Sequence, residues 1–326
     1  MKKFKRFFPN GRLVKNELTV NSLYRWINYA QWWRVLLFGC VLITAGLTGV
    51  QQGSAQPANA LITDYYKATV TQPPDSLNLD PFYKKYTNAE GIPITASGDV
   101  PDTGLLVARD IVLYMLSNRP DLRKEMARVG FRVGVMADTD STMDLPEQRN
   151  WKKPLRDDPR LTDYERAHYD RIANMTAAQY WNKRARGMGG RYTTCAEENI
   201  LGYPGTKYFG ENILVHEFSH GIHRAIRSVD KPLAKAIEKA YRQAMKRGLW
   251  KNSYAANTVE EYWAEGTQFW FNSNMEYKRG DVDILSSQDL KAYDPALYKL
   301  LAEVYPSTHH IPMDVFYKSK ARLRSR

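Results

Sequence analysis

Apolar positions in this chain follow two different spacings. From Thr103, Leu105, Leu106, Ala108, Ile111, Val112, Met115 and Leu116 recur every three or four residues, which predicts a helix. Asn118 to Pro120 breaks the pattern, and Leu122 to Val129 resumes it as a second helix. FRVGVMAD, 131 to 138, is a short unbroken run and reads as a buried strand, and RYTTC, 191 to 195, follows Gly189-Gly190 as a β-favouring segment. Helix, helix, strand fits an α/β layer whose strand is covered on at least one face. Between the two strands, residues 139 to 190 are charged, carry Pro146, Pro154 and Pro159, and predict a long surface excursion. Residues 61 to 102, rich in Pro, Asp, Asn and Gly without a period, read as a linker or wrapping arm.

The amino-terminal pattern is different. VLLFGCVLITAGLTGV, 35 to 50, holds no charge over 16 residues, which is long for the core of a signal peptide and short for a span of about 20. Ala58-Asn59-Ala60 favours cleavage, whereas the basic head and Trp32-Trp33 favour a retained membrane anchor. Both readings place the rest of the chain outside the cytoplasm. The expected order is a basic cytoplasmic head, 1 to 34; a signal peptide or anchor, 35 to 60; the arm, 61 to 102; a catalytic domain, 103 to 317; and a basic tail, 318 to 326.

Composition narrows the class. With 43% apolar and 12% aromatic residues in 326, the chain can build one large core or two small ones. The net charge of +12 belongs to its ends: residues 1 to 60 contribute +7, the tail 318 to 326 contributes +5, and the intervening residues balance. That excess marks a topogenic head and a tail and says nothing of a substrate. With no phosphate-cradling glycine loop, and no basic stripe interleaved with aromatics in the mature region, nucleic acid is not an expected partner. Two cysteines, Cys40 and Cys195, exclude a disulfide scaffold, and Cys195 reads as a small buried residue.

The chemistry concentrates in GENILVHEFSHGIHRAIRSVD, 210 to 230. At about 100° per residue, His220 and His223 fall within about 40° of His216, opposite a face formed by Phe218, Ile222, Ala225, Ile226 and Val229. One side packs on a core and the other presents two imidazoles one turn apart, as two ligands of one ion require. Glu217 stands beside them, so His216-Glu217-Phe218-Ser219-His220 is the HExxH pattern of zinc hydrolases. A third ligand is needed. Ile226 rules out the third histidine of the metzincin pattern. Glu260, Glu261 and Glu265 follow on another helical segment, where Glu261 and Glu265 share a face and Glu260 points about 100° away. Facing favours Glu261 as the ligand over Glu260, with Glu265 accepting the free ring N–H of His216 or His220. His223 reads as a pocket or surface histidine, His309-His310 as a solvated pair, and aromatics 262, 263, 269, 270 and 271 as core.

HEFSH followed by Glu261-Tyr262-Trp263-Ala264-Glu265 resembles the zincin metallopeptidases of the glutamate-ligand type, most closely the catalytic domain of anthrax toxin lethal factor. The resemblance covers about residues 210 to 275, and Ser219 replaces the family's glycine. It implies a tyrosine seven residues before the ligand glutamate that donates to the oxyanion, a spacing Ser253-Tyr254 meets. It further implies an α+β, zincin-like fold: a mixed β-sheet with an edge strand over the HExxH helix and a mostly helical C-terminal part. RYTTC is the candidate edge for β-augmentation by a peptide. The expected function is an exported zinc metallopeptidase with one catalytic Zn²⁺, a peptide or protein substrate, and Glu217 as general base. The alternatives are a non-catalytic binding or envelope-structural module, and a zinc hydrolase cutting a non-peptide amide.

Overall fold

The computed structural model describes residues 67 to 317 apart from 159, 160 and 162. The head, the apolar run at 35 to 50 and the tail lie outside the described residues. No helix among those described is long and apolar enough to cross a membrane.

The architecture is α+β. A four-stranded mixed sheet carries β1 (Lys85–Ala89), β2 (Ile92–Ala96), β3 (Arg132–Met136) and β4 (Tyr192–Ala196) in that order. β1 and β2 are antiparallel, and β2, β3 and β4 run parallel. The crossover from β2 to β3 is made by α1 (Asp102–Met115) and α2 (Pro120–Arg128), the two helices expected from the periodicity. Leu105, Ala108, Ile111, Val112, Met115 and Leu116 are all fully buried.

Within the stretch expected as a linker or wrapping arm, the described residues 67 to 102 carry β1 and β2 as a hairpin. Glu90 and Gly91 make its two-residue turn with φ of 48° and 100°, the left-handed pair that matches strand twist. A Cβ on Gly91 would also meet Ala127 at 2.9 Å. The period of two is obscured because Pro93 sits in the second strand, opposite Asn88.

Between β3 and β4 the excursion carries α3 (Asp163–Ala167), α4 (Tyr169–Ala173) and α5 (Ala177–Arg184). It has a small core of its own, Leu161, Tyr169, Ile172 and Tyr180 with Met175 and Trp181. After β4 the regular elements among the described residues are helices and one short hairpin: α6 (Glu197–Ile200), α7 (Ile213–Val229), α8 (Lys231–Lys246), α9 (Val259–Trp270), β5 (Tyr277–Arg279), β6 (Val282–Ile284), α10 (Ser287–Tyr293) and α11 (Pro295–Ala302).

α7 starts where Asn212 accepts a hydrogen bond from the Val215 amide at 3.3 Å and ends at Asp230, which caps α8 through Leu233. Its apolar face is buried as expected at Phe218, Ile222, Ala225 and Ile226; Val229, in the last turn, is 46% exposed. α9 is capped by Thr258, whose hydroxyl accepts from the Glu261 amide at 3.1 Å. The aromatics of this region are core: Tyr262, Trp263, Phe269, Trp270 and Phe271 are each at most 2% exposed. Asp294, itself buried, accepts from Tyr262 at 2.7 Å and from Trp250 at 2.9 Å, tying α9 to α11.

α9 lies close on α11 because position 266 is glycine, where a Cβ would meet Leu297 at 2.6 Å. Gly266→Val is expected to push the two helices apart and cost about 1 to 3 kcal/mol. A lowered denaturant midpoint at unchanged m-value is the outcome to look for, and an unchanged midpoint would show that the contact is slack.

Candidate metal centre

α7 and α9 pack side by side and bring their polar faces together. His216 Nε2 stands 3.0 Å from Glu261 Oε2, and His220 Nε2 stands 3.5 Å from the same oxygen. Ligands at about 2.0 to 2.1 Å around a tetrahedral ion lie roughly 3.3 Å apart, and both distances to Glu261 Oε2 match that spacing. The Glu217 carboxylate is 3.9 Å from His220 Nε2, and the potential ligand atoms of His216, Glu217 and His220 all lie within 4.8 Å of one another. Glu261 is nearer to both imidazoles than Glu217 is, and Glu260 is turned away, paired with Arg227 at 2.9 Å.

The electrostatics of the cluster fit a cation. Burial opposes the His216 imidazolium, but the Glu261 hydrogen bond and the charges of Glu217, Glu261 and Glu265 prevail and push its pKa up to about 10. Burial pushes Glu217 up to about 7 and raises Glu265, and burial with the Glu265 charge pushes Glu211 up to about 7. Glu261 is held below the ordinary carboxylate range, since His216 outweighs its burial. His220 is pushed down to about 4 by burial and by the neighbouring His216. Four carboxylates around two imidazoles draw in positive charge, and imidazole with carboxylate is a donor set that several divalent metals, zinc among them, accept.

One expected partner differs. His216 Nδ1 is 2.9 Å from Gln268 Oε1, whereas Glu265 stands 3.6 Å from that nitrogen and accepts from Asn274 at 2.9 Å. Gln268 Nε2 donates to the Asn212 carbonyl at 3.0 Å, so its Oε1 faces the imidazole. The acceptor that fixes this ring is therefore a neutral amide, which a search for carboxylates passes over. Ser219 is accommodated inside the helix, its hydroxyl donating to the His216 carbonyl at 2.7 Å.

Tyr254 enters the site from a short 3₁₀ turn, Tyr254–Ala256, with its ring 6.1 Å from that of His216. Its hydroxyl is in polar contact with the Glu261 carboxylate and the Arg184 guanidinium. Burial holds its pKa above the usual phenol value. Arg184 comes from the end of α5, paired with Glu165 at 3.0 Å, so the excursion delivers a cation to the centre.

The strand edge also departs from expectation. β4 ends the sheet order, yet Thr194 exchanges both backbone hydrogen bonds with Met188, at 2.9 and 3.2 Å. Residues 187 to 190 therefore form the lip above α7. Glycine is needed there: a Cβ on Gly189 would lie 2.6 Å from His220, and one on Gly187 2.4 Å from Ile213 and 3.2 Å from Glu217. These residues, α3 to α5 and the metal-centre side chains line one cleft of about 1200 Å³.

Of the remaining candidates, His223 lines the cleft, whereas His309, His310 and Cys195 do not. His223 is 1% exposed and stacks on Trp263, so it is no surface histidine, and burial pushes its pKa down to about 4. His309 is not solvated: it is tied to the Trp270 carbonyl at 2.9 Å and Tyr298 at 3.2 Å. His310 stacks on Tyr317. Cys195 is fully buried, which raises its thiol pKa.

No model of a known protein family matches the chain, and no curated protein matches it. Among solved structures it is similar to the PRO-PRO endopeptidase (PPEP-2) from Paenibacillus alvei. That match has a TM-score of 0.42 and 15% identity, and covers 65% of this chain and 97% of that one.

The Glu211 shift has a measurable consequence. A carboxyl whose folded pKa is about 7 and whose unfolded value is 4.5 binds its proton more tightly when folded. Ionisation therefore opposes folding, with no penalty below pH 4.5 and the full penalty above about 7, at most about 3 kcal/mol. In chelator-treated protein, Glu211→Gln is expected to raise the melting temperature at pH 8 and to change it little at pH 5. A fall at pH 8 would mean that the charged carboxylate stabilises the fold.

Proposed function

We propose that the chain is an exported zinc-dependent peptidase of the glutamate-ligand zincin type. One observation carries this reading: His216 Nε2 and His220 Nε2 stand 3.0 and 3.5 Å from the same oxygen, Glu261 Oε2, at the floor of an open cleft, with the Glu217 carboxylate beside them. The motif resemblance to the lethal-factor type supports Glu261 as the third ligand and Tyr254 as the oxyanion donor. The uncharged run at 35 to 50 behind a basic head supports export.

When bound, zinc supplies Lewis-acid chemistry that lowers the pKa of a water toward neutrality and polarises a peptide carbonyl. The protein's own groups do the rest. His216 and His220 hold the ion as neutral imidazoles, and the Nδ1–H of His216 donates to Gln268, which keeps Nε2 turned to the centre. Glu217, poised near pH 7 by burial, takes a proton as the water oxygen bonds to the carbonyl carbon. It returns that proton to the departing amine as the C–N bond breaks. Tyr254 donates to the carbonyl oxygen as negative charge builds there, with Arg184 behind it. The lip at 187 to 190 supports an extended peptide as the occupant of the cleft, because backbone groups there can continue the sheet.

The first measurement is the zinc-to-protein ratio of the mildly purified full-length chain, expected near one; a ratio near zero sinks the reading. Glu217→Gln should keep that zinc and lower kcat about 10²- to 10⁴-fold, and parental turnover by this variant would refute Glu217 as the base. Tyr254→Phe should keep the metal and lower kcat about 10²- to 10³-fold. Unchanged kinetics would remove Tyr254 from the mechanism.

A further inference from the structure

The residues from 61 to 317 balance in charge, but the cleft sorts those charges. Its floor holds Glu211, Glu217, Glu261 and Glu265, and its walls carry Arg166, Arg171, Lys183, Lys207, Arg224 and Arg227. Among the described lining residues, Glu165 and Glu260 are the acids outside the floor. Both are paired, with Arg184 at 3.0 Å and Arg227 at 2.9 Å.

Arg224 and Arg227 also line a second groove, of about 580 Å³, together with Arg191, Phe131 and Glu125. Glu125 is taken up by Arg128 at 2.7 Å and Ser228 at 2.8 Å. Arg191 and Arg224, both exposed, make no ion pair among the described residues. Three arginines thus line this groove, and among its described lining residues no acid is free to answer Arg191 and Arg224. Guanidinium is the side chain best shaped to pair with a carboxylate through two parallel hydrogen bonds.

The position of the groove follows from helix geometry. Arg224 is one turn beyond His220, and Arg227 one turn beyond His223, so the arginines extend the histidine stripe of α7. At 1.5 Å per residue they lie about 6 and 10 Å further along the axis than His220. The middle of the His216–His220 turn lies about 3 Å further back, so Arg224 is about 9 Å from it along the axis, a span an extended peptide covers in about three residues at about 3.3 Å each. The lip runs the same way, from Gly187 beside Glu217, through Gly189 beside His220, to Arg191.

We propose that this arginine groove is a specificity subsite that receives an acidic side chain of the peptide substrate, about three residues from the scissile bond. The proposal rests on the peptidase reading, but its test is separate. The probes are degenerate peptide libraries with a fixed central pair and either Glu or Lys fixed at the third residue to one side or the other. Binding is read by fluorescence anisotropy on zinc-loaded, full-length Glu217→Gln protein, so that cleavage is not required.

On one side the Glu library is expected to bind at least about tenfold tighter than the Lys library, with the gap closing as salt rises. Arg191→Glu combined with Arg224→Glu should reverse the preference. Arg224→Gln, which adds no charge, should narrow it. Equal binding of Glu and Lys libraries on both sides overturns the subsite, as does a preference that the arginine variants leave intact. Failure of the parental enzyme to cut any library overturns the peptidase reading instead, and the two failures are read in different assays.

Discussion

Everything at the centre depends on the contact between α7 and α9, because that contact forces carboxylates and imidazoles into one buried place. Glu211, Glu217, Glu261 and Glu265 would each prefer water, and burying like charges together costs several kcal/mol unless something positive joins them. The helices hold because their other faces are apolar: Phe218, Ile222 and Ile226 on α7, and Tyr262, Trp263, Phe269 and Trp270 on α9, are all buried. The unfavourable electrostatics are thus imposed by packing. Polar ties fix the detail, since Gln268 spans from Asn212 to His216, and Asn274 holds Glu265. A site strained in this way binds cations well, because a bound positive charge relieves the repulsion that the core enforces.

The roof of the cleft is built to a different standard. α3, α4 and α5 close on four buried apolar side chains, separate from the large core under α7 and α9. A cluster of that size stabilises its segment far less than the main core does, so opening of the roof costs less than global unfolding. Arg184 links the two regions, being paired with Glu165 of the roof and in contact with Tyr254 of the floor. The surroundings of the phenol are thus tied to the roof through Arg184, whereas the two histidines and Glu261 sit on α7 and α9 over the main core.

How much of this was legible in the sequence varies by element. α7 was readable because an amphipathic period and the HExxH spacing agree, and both come from one helix. Glu261 was readable because Glu260 and Glu265 offered facing as a criterion. Gln268 was not, since an uncharged amide seven residues after Glu261 carries no signal of its own and its role exists only where α9 meets Asn212. The hairpin of β1 and β2 was hidden by Pro93 and by short strands, though the pair Glu90-Gly91 between KYTNA and IPITA was a turn signal that could have been weighed. The covering of β4 by Met188 was also invisible, because it depends on where the chain returns after a long excursion. Arg184 lies in a charged stretch with no period and Arg191 opens a strand-like segment, and their meaning arises only from the cleft and the groove they line.

The sorting of charge between floor and walls has a cause in the same geometry. Wall cations placed around a floor of four carboxylates reduce the repulsion there, so they are stabilising before any substrate arrives. Two of the floor carboxylates lie near their midpoint at neutral pH, which makes that balance sensitive to anything that neutralises them. In the proposed enzyme, a divalent cation held by His216, His220 and Glu261 removes much of the negative charge that the walls compensate. The arginines of the groove then face solvent with less opposing field than before. Attraction for an anionic ligand at the groove is thus coupled to occupancy of the centre through Coulomb interactions alone, without any change of conformation. By reciprocity, an acidic peptide seated on Arg191 and Arg224 offsets the repulsion between those arginines and the cation, and so strengthens the hold of the floor on it.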